Sequence, residues 1–148
     1  MATIKKSILV ETSLDKVWGV ATDVNRWSSW YAGLSDIVQM TGDGGVGTVV
    51  EQRYLMAGME FPVTTEVLEA DKGPKRARWK GTIGGPLHGE QTFTYTAEGT
   101  GTRLTADMEY TVPGSVLGKF ADRLIIERMQ ANSLEQTLEN LKAICEGG

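Results

Sequence analysis

A chain of 148 residues with net charge −4, its 15 Lys and Arg interspersed among 19 Asp and Glu, has no basic patch to neutralise phosphates, which argues against nucleic acid as a partner. At this length roughly 70% of the unfolded surface can be buried, so one domain spanning residues 1–148 can build a core and still leave a hollow. The single cysteine, Cys145, cannot close an internal disulfide, and the alternation of Ile8, Val10 and Thr12 is neither a signal peptide nor a membrane span. The expectation is a cytoplasmic protein with no integral membrane segment.

In chain order, Ile4–Val10 alternates apolar with polar and predicts a first strand. Thr12 and Asp15 stand at capping-box spacing, and Leu14, Val17, Trp18 and Ala21 share one face of the short helix that follows. Asp23 is placed to cap a second helical turn carrying Trp27, Trp30 and Tyr31. Six further strands are predicted at Ser35–Met40, Thr48–Met56, Met59–Glu69, Lys75–Ile83, Leu87–Glu98 and Thr102–Val112. Glycine-rich turns separate them, and connections this short predict an antiparallel meander from the second strand onward.

The late strands divide by parity. Ala77, Trp79, Gly81, Ile83, Gln91, Phe93, Tyr95, Leu104, Ala106, Met108 and Tyr110 share the inner face. Arg76, Arg78, Lys80, Glu90, Thr92, Thr94, Arg103, Thr105, Asp107 and Glu109 take the solvated one. In the third strand, Val50, Gln52, Tyr54 and Met56 are assigned inward, because the opposite parity would bury Glu51 and Arg53. His88 shares parity with Glu90 and reads as a surface residue unless a bulge shifts the register.

The last third, Ser115 to Cys145, reads as one long helix. Its apolar stripe comprises Leu117, Phe120, Leu124, Ala131, Leu134, Leu138, Leu141 and Cys145, with Glu127 near the centre of the arc. A carboxylate there is either on a cavity wall, where it can act as a general acid or base or orient a ligand hydroxyl, or turned to solvent by a bend near Ile126–Gln130. Ile126 and Met129 fall on the opposite side and suggest a contact for a homodimer.

Trp27-Ser28-Ser29-Trp30, the glycine turn running into Gly47-Thr48, Gly101-Thr102-Arg103-Leu104-Thr105, Pro113-Gly114 and the long terminal helix, in this order, resemble the helix-grip START and birch-pollen-allergen superfamily. The likeness is greatest to its bacterial polyketide cyclase/dehydrase and lipid-transport branch. The resemblance covers essentially the whole chain. It implies an α+β helix-grip fold, a curved seven-stranded antiparallel sheet wrapped around the terminal helix. It also implies a cavity that takes hydrophobic or amphipathic small molecules; members include carriers, sensors and cyclases, and no catalytic residue transfers by motif.

Other motifs fail on context. Gly42-Asp43-Gly44-Gly45-Val46-Gly47 has dinucleotide-like glycine spacing, but the β-branched run Thr48-Val49-Val50 follows where a helix would have to begin. One histidine and one cysteine make no zinc set, and no serine sits in a nucleophile elbow. No metal site or cofactor is therefore expected. The reading is a binder of a lipid-like or polyketide-like molecule, with an aromatase/cyclase or dehydratase as the alternative. The expected lining is Trp27, Trp30, Tyr54, Met56, Trp79, Gln91, Phe93, Tyr95, Met108, Tyr110, Phe120, Leu124 and Glu127, with Glu127 the candidate catalytic group. Because Trp27 and Trp30 are three apart, only one of them is expected to reach the hollow.

Overall fold

The computed structural model describes residues 2–56, 58–85, 88–112 and 123–147. Its elements are β1 (Ala2–Val10), α1 (Leu14–Ala21), a 3-10 turn (Val24–Arg26), α2 (Trp27–Trp30) and β2 (Gln39–Thr41). They continue with β3 (Val49–Met56), β4 (Met59–Lys72), β5 (Arg76–Ile83), β6 (His88–Glu98), β7 (Gly101–Thr111) and α3 (Arg123–Gly147). The expected helical segment 115–122 and Phe120 lie outside the described residues.

All seven strands form one antiparallel sheet in the order β1-β7-β6-β5-β4-β3-β2. The meander from β2 to β7 follows from the short turns. The closing pair, β1 against β7 from Ala2↔Tyr110 to Val10↔Thr102, joins the first and last strands of the sheet. Between Val67 and Glu69 the β4–β5 register shifts by one residue; Leu68 is the extra one, and such a bulge bends and twists the strand. The resulting concave face is covered by α3, which packs on β1, α1 and α2. This is the helix-grip α+β fold.

The inward parities hold. Val50, Gln52 and Met56 are buried while Glu51, Arg53 and Leu55 are exposed, and Trp79, Phe93, Tyr95, Leu104, Ala106, Met108 and Tyr110 are all buried. His88 is exposed. On the outer face Lys80 pairs with Glu90 and Arg78 with Glu69, each at 3.3 Å; exposed pairs of this kind contribute little to stability.

Two local expectations change. The N-cap of α1 is Ser13, whose Oγ accepts from the Lys16 amide at 3.3 Å, and not Thr12. Thr12 is taken up by the sheet: its amide donates to the Val10 carbonyl at 2.9 Å and its carbonyl accepts from the Thr102 hydroxyl at 2.9 Å. The segment Ser35–Val38 runs beside β3 with only scattered bonds, Ser35 N to Arg53 O and Val38 N to Glu51 O at 2.8 Å, so the strand itself is confined to Gln39–Thr41. The approach to that segment depends on Gly33 at φ +83°, where a side chain would press on the Leu55 carbonyl at 2.7 Å; its own carbonyl accepts the Leu55 amide at 2.8 Å.

The buried arc of α3 differs from the expected one. Ile126, Gln130, Leu134, Thr137, Leu138, Leu141 and Cys145 are buried, whereas Leu124 is 66% exposed and Glu127 is half-buried. At 100° per residue this arc is rotated by roughly 60° from the purely apolar stripe. The cause is that Gln130 and Thr137 have inward partners: Gln130 Nε2 reaches Met56 Sδ at 3.1 Å, and Thr137 Oγ1 accepts from the Ala32 amide at 3.0 Å. Ile126 is fully buried and Met129 packs against the core, so they do not form the exposed patch expected for a second copy.

Candidate functional site

Between the concave face of the sheet, the α1–α2 corner and α3 lies a pocket. The α2 turn delivers Trp27 and Trp30, and the extended backbone at Tyr31 redirects the chain so that Tyr31 and Leu34 follow them into the wall. From the sheet come Tyr54 and Met56 (β3), Val63 and Thr65 (β4), Trp79 and Ile83 (β5), Gln91, Phe93 and Tyr95 (β6) and Met108 (β7); α3 supplies Gln130. Ala21 and Gly84 complete the lining among the described residues. The space open to the centre of a water molecule is about 60 Å³, inside an envelope of about 840 Å³ that also counts the open mouth.

The wall is predominantly aromatic. Trp27 meets Trp79 edge-on, with ring centroids 5.6 Å apart and planes at 81°; Trp79 in turn lies 5.9 Å from Phe93, and Phe93 6.1 Å from Trp30. Gly81 is what lets Trp79 lie flat along β5, since a Cβ there would fall on the indole ring. Trp27 Nε1 donates to the Ala21 carbonyl at 3.0 Å. Trp30 Nε1 is buried without a partner among the described residues.

Polar groups enter at two places. Tyr31 Oη donates to Gln91 Oε1 at 2.8 Å. Burial pushes the Tyr31 phenol well above its ordinary value of 10, the nearby Tyr54 adds to the rise, and the Gln91 hydrogen bond opposes it. Tyr54 Oη lies 3.3 Å from Ser133 Oγ and accepts from Gln130 Nε2 at 3.3 Å. The Tyr95 phenol is also pushed up, first by burial and then by the Cys145 thiol. The lining contains no Asp, Glu, His, Lys or Arg among the described residues.

Of the residues read from sequence, Trp27, Trp30, Tyr54, Met56, Trp79, Gln91, Phe93, Tyr95 and Met108 meet at this pocket, and both tryptophans reach it. They do so because a four-residue turn ringed by sheet, α1 and α3 buries both faces. Tyr110 is fully buried but stands off the wall. Leu124 faces outward and Glu127 lies off the wall, Gln130 taking the inward place one turn on. Gln130 and Thr65 also line the pocket and are absent from the expected set, because an apolar pattern carries no signal for a polar residue on a buried face. The signal for Gln130 was its four-residue spacing from both Ile126 and Leu134.

The chain belongs to the polyketide cyclase/dehydrase and lipid transport family, whose model matches residues 1–146. Among solved structures it is similar to TTHA0849 from Thermus thermophilus (TM-score 0.82, 16% identity, 97% of each chain covered). It is also similar to a START superfamily protein from Mycobacterium smegmatis (TM-score 0.74, 16% identity, 98% of this chain and 97% of that one). A third is the Zhui aromatase/cyclase from Streptomyces sp. R1128 (TM-score 0.73, 18% identity, 98% of this chain and 93% of that one). At these identities the likeness is one of fold. No curated protein matches the chain in sequence. No described helix is long and apolar enough to cross a membrane.

Proposed function

We propose that this protein binds a compact, neutral, largely aromatic or otherwise apolar small molecule in the pocket, as a carrier or sensor. The observation that carries this reading is the composition of the described wall: the large aromatic rings of Trp27, Trp30, Trp79 and Phe93, two methionines, and tyrosine as the one ionisable residue type among the described residues. Such a wall rewards apolar contact and selects by a few hydrogen bonds. It disfavours a charged ligand, whose desolvation no opposite charge would offset.

The aromatase/cyclase alternative draws on the family and on the fold of the Zhui enzyme. Proton abstraction needs a base poised near the working pH, and burial holds the Tyr31 and Tyr95 phenols on the wall protonated. Glu127, the carboxylate singled out from the sequence, would have to act from off the wall. Under the binding reading Glu127→Gln leaves ligand affinity within about twofold, which is a difference of about 0.4 kcal/mol.

Ligand-observed NMR and calorimetry with single-ring aromatics, fused-ring aromatics, flavonoids and short lipids test the proposal. Small aromatics should bind with Kd below about 1 mM, equivalent to about −4 kcal/mol. Val63→Phe places a ring in the free interior and should weaken them at least tenfold while the protein remains folded. An absence of binding across the panel, or unchanged binding by the folded Val63→Phe variant, would overturn it.

A further inference from the structure

We infer that the Tyr54 hydroxyl, with that of Tyr31 beside it, is the group that recognises the ligand, so that the ligand is a neutral aromatic molecule carrying a hydroxyl received at these two phenols. This rests on the binding reading above and names the ligand class for the same site.

The two phenols reach one corner of the pocket from different parts of the fold. Tyr31 follows α2 and Tyr54 comes from β3, and both side chains line the pocket. The Tyr54 ring lies against the turn that carries Tyr31: Leu34 forms a β-bridge with Tyr54, and a Cβ on Gly33 would stand 3.3 Å from Tyr54 Cε1. α3 closes on the same turn. Its Ser133 Oγ lies 3.3 Å from Tyr54 Oη, and Thr137, one helical turn on, accepts from the Ala32 amide at 3.0 Å. The phenols are near enough to act on one another, since Tyr54 adds to the rise that burial causes at Tyr31.

The two hydroxyls differ in what they have left to offer. Tyr31 Oη gives its proton to Gln91 Oε1 at 2.8 Å, an ordinary length, and keeps lone pairs that can accept. Tyr54 Oη has two polar contacts among the described residues, Ser133 Oγ and Gln130 Nε2, both at 3.3 Å. Well-made bonds close to about 2.5–3.0 Å between two oxygens and about 2.7–3.2 Å from an amide nitrogen to oxygen, so both contacts are stretched. Gln130 Nε2 is in fact nearer to Met56 Sδ, at 3.1 Å.

The Tyr54 hydroxyl is therefore held in place but under-bonded, and it gains from a closer oxygen. A ligand hydroxyl accepts from Tyr54 and brings a proton of its own, which the Tyr31 oxygen can take. A carbonyl or ether uses only the first of these, and a methyl group uses neither. The rings of Trp27, Trp79 and Phe93 on the same wall receive the aromatic body.

Calorimetry with 4-ethylphenol and 4-ethyltoluene, in which a methyl group replaces the hydroxyl at nearly equal volume, tests the inference. Water solvates the hydroxyl, so an unrecognised one would make 4-ethylphenol the weaker ligand; it should instead bind at least as tightly as 4-ethyltoluene. Tyr54→Phe, which retains the ring, should shift the ratio of the two affinities about three- to tenfold against 4-ethylphenol, and Tyr31→Phe should shift it the same way. Tyrosine labelled with carbon-13 at Cζ reads the same bond in the wild type, without a substitution. The Tyr54 Cζ resonance should move further with 4-ethylphenol than with 4-ethyltoluene. Weaker binding of 4-ethylphenol than of 4-ethyltoluene, a ratio unmoved in folded Tyr54→Phe, or equal Cζ shifts would overturn the inference and leave the apolar binding reading standing. Binding of neither probe would overturn the binding reading and this inference with it.

Discussion

Gly89→Ala should destabilise the fold by about 3 kcal/mol or more and lower Tm by roughly 6–12 °C. Gly89 pairs with Tyr110 across β6 and β7, and a Cβ on it would collide with the Glu109 carbonyl oxygen and lie 2.7 Å from Tyr110 Cα and 2.8 Å from the Glu109 carbonyl carbon. These are backbone atoms, which cannot swing aside as a flexible side chain would. Nor can β7 retreat, because Thr3 and Ala2 of β1 pair with Glu109 and Tyr110 from the other side. The comparison variant is Gly19→Ala in α1, where nothing lies within 4 Å and the site is exposed. It should stabilise by about 0.5–1 kcal/mol, the usual gain from replacing a mid-helix glycine. Chemical and thermal unfolding of the two variants checks both signs. A Gly89→Ala protein within about 1 kcal/mol of wild type would mean that the β6–β7 spacing is not the constraint described.

Stability should fall steeply above about pH 10, by about 2.7 kcal/mol for each further pH unit. Tyr31 and Tyr95 carry the effect. In the folded protein burial raises both phenols above 10, with Tyr54 and Cys145 respectively adding to the rise. In the unfolded chain both lose their protons near 10. Between the two values the folded state therefore holds two protons that the unfolded state has released, and each contributes about 1.36 kcal/mol per pH unit in favour of unfolding. This stability is fully present below about pH 10 and is lost as pH rises toward the folded-state values. Urea unfolding between about pH 8 and 11.5 should show stability beginning to fall above about pH 8.5, where burial holds the Cys145 thiol protonated, and falling more steeply above about pH 10, and Tyr31→Phe should remove about 1.4 kcal/mol per pH unit from the steeper part. A slope unchanged in Tyr31→Phe would show that this phenol is not held protonated by the fold. Ligand affinity, by contrast, should be constant from about pH 6 to 9, since the described wall carries no Asp, Glu, His, Cys, Lys or Arg.

The meander from β2 to β7 and the inward faces were legible because period-two alternation and glycine turns are local signals. Trp79, Phe93, Tyr95 and Met108 follow from parity alone, and Tyr54 and Met56 from the cost of burying Glu51 and Arg53 instead. The presence of a long terminal helix was legible for the same reason, through its apolar repeat. The phase of that helix was not. Hydrophobicity placed Leu124 and Glu127 inward, yet the helix turns Gln130 and Thr137 to the interior because Met56, Tyr54 and the Ala32 amide wait there as partners. Those partners are more than 70 residues away in sequence, and no local pattern announces a hydrogen bond over that distance.

The pocket divides along the same line. Its aromatic character is a property of the sequence, since Trp27, Trp30, Trp79 and Phe93 are large enough to dominate any interior that receives them. Its polarity is a tertiary outcome. The Gln91 amide meets a phenol 60 residues earlier in the chain, and the Gln130 amide meets a thioether sulfur 74 residues earlier. Apolar burial is additive and can be read residue by residue. Hydrogen-bond direction belongs to pairs, and the pairs exist only once the sheet has closed around the helix.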